Sequence, residues 1–392
     1  MHHNHMKKQL GQFMTPDSIA HAVARELGPC DAVVDFAVGE GALLKAVAQQ
    51  ARSPVELYGF DIDRQRLAEA SKNLQGAHLR KGNGLTAKLE HKAGIRLGCV
   101  GNPPFLSATE EGLPWLTKAF PGLSGKLGIN RAEVQFLARA LVTARNSNAR
   151  VVFVMPIGFA DGDIYRRIRA LLMEQYQLIK AIEVSGGRAF LDTEARTVVL
   201  VIDTKGQGGV ETEICEMSRA DATPRTILKT KLTPGVRLDA RFHKAMLFSP
   251  TGGPQLKDLD VSINRGVISR KEAEELCIPA VHTTDLNRAK GHRITSPSHQ
   301  TAYEGVLTAK KGDILLPRTG SRLRWEPVMM SSGEAVITDH VFRIRAPARV
   351  RNLVYQSLCH PEFSAWLQGA SKGVCATVLT KRELLEMPVF AA

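Results

Sequence analysis

Short apolar runs alternating with helical patterns constrain this chain more than any other feature. Ala32-Val33-Val34-Asp35-Phe36, Val55 to Phe60, Val151 to Met155, Ile179 to Val184 and Thr197 to Ile202 are too short for buried helices and read as strands. Between them lie segments with apolar residues at helical spacing, such as Ile19, Ala22, Val23 and Leu27, or Val134, Leu137, Ala138 and Leu141. Near-continuous apolar strands need helices on both faces. The pattern predicts a mostly parallel, doubly wound α/β sheet.

The first strand ends in an acid, Asp35, followed by Ala37-Val38-Gly39-Glu40-Gly41 and a helix containing Leu44, Val47 and Ala48. Glycines let the backbone approach a ligand, and the helix N-terminus points at it. Leu44 stands where a dinucleotide fingerprint needs its third glycine, which disfavours a pyrophosphate. An adenosyl ligand without phosphate fits better, with Asp35 near its cationic end. The second strand ends at Asp61-Ile62-Asp63. Asp61 is placed to bind a ribose diol, and Asp63 to cap the next helix. His78 to Leu85 forms the third strand and its exit loop, where Asn83 meets an adenine edge or occupies a turn.

Gly98-Cys99-Val100 leads into Gly101-Asn102-Pro103-Pro104-Phe105. Two prolines remove two donors and fix the backbone, and the first drives Asn102 towards an extended conformation. This stiff turn offers carbonyls, one amide and one aromatic face, a set suited to a planar substrate with an exocyclic amine. The stretch from Leu106 to Asn130 is too long for a simple connection and reads as a functional or mobile insertion.

No apolar stretch approaches the roughly 20 residues of a membrane span, and the N-terminus lacks the apolar core of a signal peptide. The six cysteines are dispersed, which gives neither a disulfide framework nor a zinc pattern and fits a reducing cytoplasm. No metal site is expected. A net charge of +13 points to a polyanion, with nucleic acid as the first choice for a cytoplasmic protein.

Taken together, these segments resemble the N6-adenine DNA methyltransferases in the gamma order of their motifs. Gly11-Gln12-Phe13-Met14-Thr15-Pro16 resembles the segment that closes over the methyl donor. Asp35 to Gly41 resembles the D-x-A-x-G-x-G loop, Gly59-Phe60-Asp61 the ribose-binding acid, and Asn102-Pro103-Pro104-Phe105 the catalytic tetrapeptide. One departure stands out: the family usually offers an aspartate to the donor's adenine, where this chain has Asn83. The resemblance implies a Rossmann-like, S-adenosylmethionine-dependent methyltransferase. Its donor residues would be Phe13, Thr15, Pro16, Asp35, Ala37, Gly39, Gly41, Asp61, Ile62, Asn83 and Asn102. Its catalytic residues would be Asn102, Pro103, Pro104 and Phe105. Phe190 either covers the second face of the base or belongs to the core.

After Thr204 the alternation becomes irregular, punctuated by Pro224, Pro234-Gly235 and Gly252-Gly253-Pro254. The expected organisation is a methyltransferase domain over residues 1–205, a linker over 206–235 and a second, α+β domain over 236–392. From Arg237 onward 22 Lys and Arg face 15 Asp and Glu, so the second half carries a basic excess. It resembles a single target-recognition domain of the type I restriction specificity subunits, through Arg237 to His243, Lys311 to Gly320 and Gly373 to Leu379. Arg318, Arg322, Arg324 and Trp325 form the densest basic-aromatic patch, for base readout or as a solvated loop. Asn287, Arg288, Lys290 and Arg293 form a second patch, better suited to phosphates. The expected partner is double-stranded DNA, with a second copy of the chain or a separate restriction nuclease alongside. Two other readings share these residues. One is a methyltransferase of the same fold acting on an RNA base or a protein glutamine, and the other is a DNA-binding specificity module without activity.

Overall fold

In the computed structural model the sheet is built around β1 (Ala32–Asp35), buried at every position. The residues described are 15–123, 131–145, 147, 149–185, 196–218, 220–248, 253–289, 293–295, 305–320, 325–372 and 377–390. On one side β1 pairs in parallel with β2 (Glu56–Asp61), and on the other with β4 (Leu97–Gly101); Asp35 is in register with Gly59 and with Val100. β3 (His78–Lys81) extends the first side and β5 (Arg150–Pro156) the second, both in parallel. The chain winds one way from β1 to β3 and the other way from β4. A crevice therefore opens at the C-terminal ends of β1 and β4.

Beyond β5 the sheet becomes mixed. β7 (Thr197–Asp203) runs antiparallel between β5 and β6 (Gln177–Ser185). β8 (Glu211–Ser218) then pairs in parallel with β6, and β9 (Arg225–Lys231) closes the edge antiparallel to β8. Among the described residues nine strands result, in the order β3-β2-β1-β4-β5-β7-β6-β8-β9. Residues 206–235, whose prolines and glycines suggest a linker, thus carry two strands of the same sheet. Their polarity alternates because they form an edge hairpin: Thr212, Ile214, Cys215 and Met217 are buried, while β9 is half-exposed or exposed throughout.

Helices α1 (Asp17–Leu27), α2 (Ala42–Gln50) and α3 (Arg64–Asn73) cover one face. Ile19, Val23, Leu44 and Val47 pack with Val33, Val100, Val152 and Val201 in one core cluster. Each such side chain contributes roughly 1.5–3 kcal/mol on burial. The insertion after the proline turn is not plain loop in its described part, for it holds the 3-10 turn Glu110–Gly112 and α4 (Leu113–Ala119). Then come α5 (Ala132–Arg145), α6 (Ile157–Asp161) and α7 (Arg166–Gln175).

The chain divides into two compact units, Met1–Ala240 and Arg241–Ala392. Arg169 on α7 accounts for the first unit reaching past β9. Its buried guanidinium donates to the carbonyls of Phe159 (2.8 Å), Gly162 (2.7 Å), Gly235 (3.3 Å) and Val236 (3.0 Å). Leu238 N–H adds a bond to Ala160 O at 3.1 Å.

In the second unit, β10 (Ser262–Arg265), β12 (Arg293–Thr295), β14 (Ile314–Pro317), β16 (Val328–Ser332) and β18 (Val341–Arg345) form a sheet in the order β10-β18-β14-β16-β12. β11 (Ala280–Val281), β13 (Thr308–Lys310) and β17 (Glu334–Ile337) form a smaller sheet, and β15 (Thr319–Gly320) pairs with β19 (Thr377–Val378). Ile263, Leu316 and Phe342 pack with Phe363, Trp366 and Leu367 of the helix Pro361–Ala370. Among the described residues no helix is long and apolar enough to cross a membrane.

Candidate functional site

The crevice holds a cavity of about 220 Å³. Its floor is the turn after β1. Gly39 (φ 54°) and Gly41 (φ 86°) adopt left-handed backbone there, which a side chain would strain. Asp35 Oδ1 accepts from Ala37 N–H at 2.9 Å, and Asp61 accepts from Gly39 N–H through Oδ2 and from Asp63 N–H through Oδ1, each at 2.8 Å. Two strand-end acids therefore hold the glycine turn between them. Asp63 caps α3 instead, accepting from Gln65 and Arg66 N–H.

Both acids are buried, Asp35 to 2% exposure. Burial pushes the Asp35 carboxyl up to about 7, the Ala37 N–H opposing this and the charge of Asp61 adding to it. Two neighbouring buried carboxylates favour positive charge close by. A cationic group in the cavity would supply it.

Asn83 lines the cavity, and its Oδ1 accepts from Leu85 N–H at 2.9 Å, so it also shapes its own turn. Gly84 is where the exit loop of β3 meets the first strand: a Cβ there would lie 1.7 Å from the Phe36 carbonyl oxygen. Phe36, Leu85 and Phe136 give the cavity an apolar wall.

The proline turn also borders the cavity. Asn102 and Pro104 line the cavity, and Asn102 Nδ2 donates to Thr15 Oγ1 at 2.9 Å. Pro103 is buried and Phe105 half-buried. The structure thus gathers Thr15, Asp35, Ala37, Gly39, Asp61, Ile62, Asn83, Asn102 and Pro104 around one cavity. Gly41 and Pro16 sit one step back, as the N-caps of α2 and α1. Phe13 and Phe190 lie outside the described residues.

Besides the apolar wall, sequence reasoning missed several polar and aromatic neighbours. Arg66 and Thr109 line the cavity, the former pairing with Asp63 at 3.8 Å. Arg139 and Trp115 stand behind the Asn83–Leu85 loop. The one legible signal was an arginine set into the apolar stripe of α5.

In the second unit, Arg318 is half-buried and its N–H donates to His340 O at 2.8 Å. Burial, and then the neighbouring Arg265, hold its guanidinium below the usual arginine range. Trp325 packs against the unit's core, and Arg288 is exposed in the last turn of the helix Thr283–Arg288. Lys290, Arg322 and Arg324 lie outside the described residues.

Residues 1–226 match the model of a family described as N-6 DNA methylase. No curated protein matches the chain. Among solved structures, the chain is similar to a type I restriction-modification methyltransferase subunit from Streptococcus thermophilus. The identity is 19% and the TM-score 0.43, over 54% of this chain and 49% of that one. It thus spans about half the length of that subunit. The type IIL restriction-modification enzyme MmeI, solved with DNA, aligns at 12% identity and TM-score 0.55, over 97% of this chain and 64% of that one. The type IIG restriction endonuclease BpuSI aligns at 13% and 0.50, over 96% and 58%. At such identities the last two likenesses speak for the fold alone.

Proposed function

Since the chain belongs to the N-6 DNA methylase family, we propose that it transfers a methyl group from S-adenosylmethionine to the N6 amine of an adenine flipped out of double-stranded DNA. One observation carries this reading: Asn102 of the proline turn lines the same cavity as Asp35, Asp61 and the glycine turn. The donor supplies an electrophilic methyl on a sulfonium. Asp35 would meet its ammonium, Asp61 the ribose diol, and Phe36 and Asn83 the adenine.

Adenine's amino nitrogen is a poor nucleophile because its lone pair is delocalised into the ring. The Asn102 amide oxygen and the Pro103 carbonyl would accept its two N–H bonds and favour a tetrahedral nitrogen. The bond from Asn102 Nδ2 to Thr15 supports this, since it turns the amide nitrogen towards Thr15. The chain's contribution is then positioning and hydrogen bonding that strengthens in the transition state. Phe105 would stack on the extruded base, offsetting part of an unstacking cost of a few kcal/mol. The second unit would recognise the target sequence, with Arg318 and Trp325 towards bases and Arg288 towards phosphates. A cytoplasmic restriction-modification, phage-related or epigenetic system is the setting this implies, with a restriction nuclease or a second copy as partner.

The test is to incubate the full chain with duplex DNA and labelled S-adenosylmethionine. N6-methyladenine is expected with the wild type and not with Asn102→Ala. No product from the wild type, or full activity in the variant, sinks the proposal. Label on a peptide glutamine but not on duplex DNA moves the acceptor to protein.

A further inference from the structure

Arg139, on α5, is 3% exposed. Its Nη1 donates to Gly84 O and its Nη2 to Ala87 O, so one guanidinium grips the exit loop of β3 at two carbonyls. The same group lies 4.0 Å from the centroid of Phe36 and 5.0 Å from that of Trp115. Among the described residues no carboxylate pairs with it, and burial pulls it down to about 10. Charge is normally buried against an opposite charge. Here it is spent on two carbonyls and two ring faces.

Trp115 completes the grip. Its Nε1 donates to Leu85 O at 2.7 Å. It reaches there because the chain leaving the proline turn is fastened to α5. Ala132 N–H donates to Leu106 O at 2.9 Å, and the Gln135 amide bonds both backbone groups of Thr109, at 3.0 and 2.6 Å. Helix α5 is therefore a common post for the segment after the proline turn and for the loop carrying Asn83.

We propose that Arg139 and Trp115 are positioning residues for the adenine of the methyl donor, clamping the Asn83–Gly84–Leu85 loop against Phe36 from behind. This rests on reading the cavity as the donor site. A clamp of this kind acts on donor binding, whereas Asn102 acts on the acceptor. Loosening it raises KM for the donor and leaves kcat at saturating donor and the affinity for DNA in place.

The test is calorimetric titration of S-adenosylmethionine into the full chain, with methyl-transfer kinetics at saturating DNA. Trp115→Phe keeps the ring and removes one hydrogen bond, so the donor Kd should rise about fivefold. Arg139→Met should raise it more than tenfold, with Arg139→Lys between the two. The double variant Trp115→Phe/Arg139→Met should show less than the product of the single effects, because both act on one loop. Thermal melts identify any variant that fails to fold, and Trp115→Phe carries the test if Arg139→Met does. Wild-type donor affinity in folded Trp115→Phe and Arg139→Lys overturns the clamp. So does a fall in kcat with donor KM unchanged. A wild type that binds no donor overturns the reading of the cavity instead.

Discussion

Asp35→Asn separates what a ligand site needs from what the fold prefers. The carboxyl, ordinarily near 3.8, is raised to about 7 by burial. Each pKa unit of that difference is worth about 1.36 kcal/mol, so the ionised group opposes folding by at most about 4 kcal/mol. Below pH 4 the carboxyl is protonated in both states and exacts no penalty. Between pH 4 and 7 the unfolded chain ionises while the folded one stays protonated, so stability falls as pH rises, and above 7 the loss is complete. Asparagine has the same shape and retains an oxygen for the Ala37 N–H. The ligand-free variant should therefore melt higher than the wild type at pH 8, at roughly 2–4 °C per kcal/mol, and alike at pH 4. Donor binding should show the reverse. Wild-type affinity for S-adenosylmethionine should climb as pH rises through 7 while the variant's stays weak and flat. Thermal melts at both pH values, with and without donor, decide the matter. A variant less stable than the wild type at pH 8, with its donor-induced shift intact, would refute the reasoning.

Thr15→Val removes the acceptor for Asn102 Nδ2 and should lower kcat on the order of tenfold, with Thr15→Ser close to wild type; a changed donor Kd with kcat intact would make Thr15 a donor ligand only. Gly84→Ala places a methyl against the Phe36 carbonyl and should cost about 1–3 kcal/mol in urea unfolding, with donor binding impaired in the folded fraction. Arg169→Met leaves the carbonyls of Phe159, Gly162, Gly235 and Val236 without their donor. It should destabilise by about 2–4 kcal/mol and open residues 235–239 to protease.

What can be read from such a chain depends on how local its causes are. The turn after Asp35 is legible because its acid, glycines and helix start lie within ten residues, and the proline turn because its stiffness is built into five. Strand order is set by partners far apart in sequence. No feature of Thr197 to Ile202 announces that it inserts antiparallel between two earlier strands. β8 and β9 were hidden because edge strands alternate and carry charge, and Pro224 between them resembles linker punctuation. Arg139 is visible as an oddity on α5, but its two carbonyls lie more than fifty residues upstream, within a loop whose own pattern gives no hint of it.

The clasp that Arg169 makes on Gly235 and Val236 has a practical consequence for recombining such proteins. An exchange of the second unit must join the new sequence after Ala240. A junction near residue 205 would discard β8 and β9, leave β6 as a bare strand edge open to aggregation, and strip two carbonyls from a buried guanidinium. Chimaeras cut at the two places should therefore differ first in solubility.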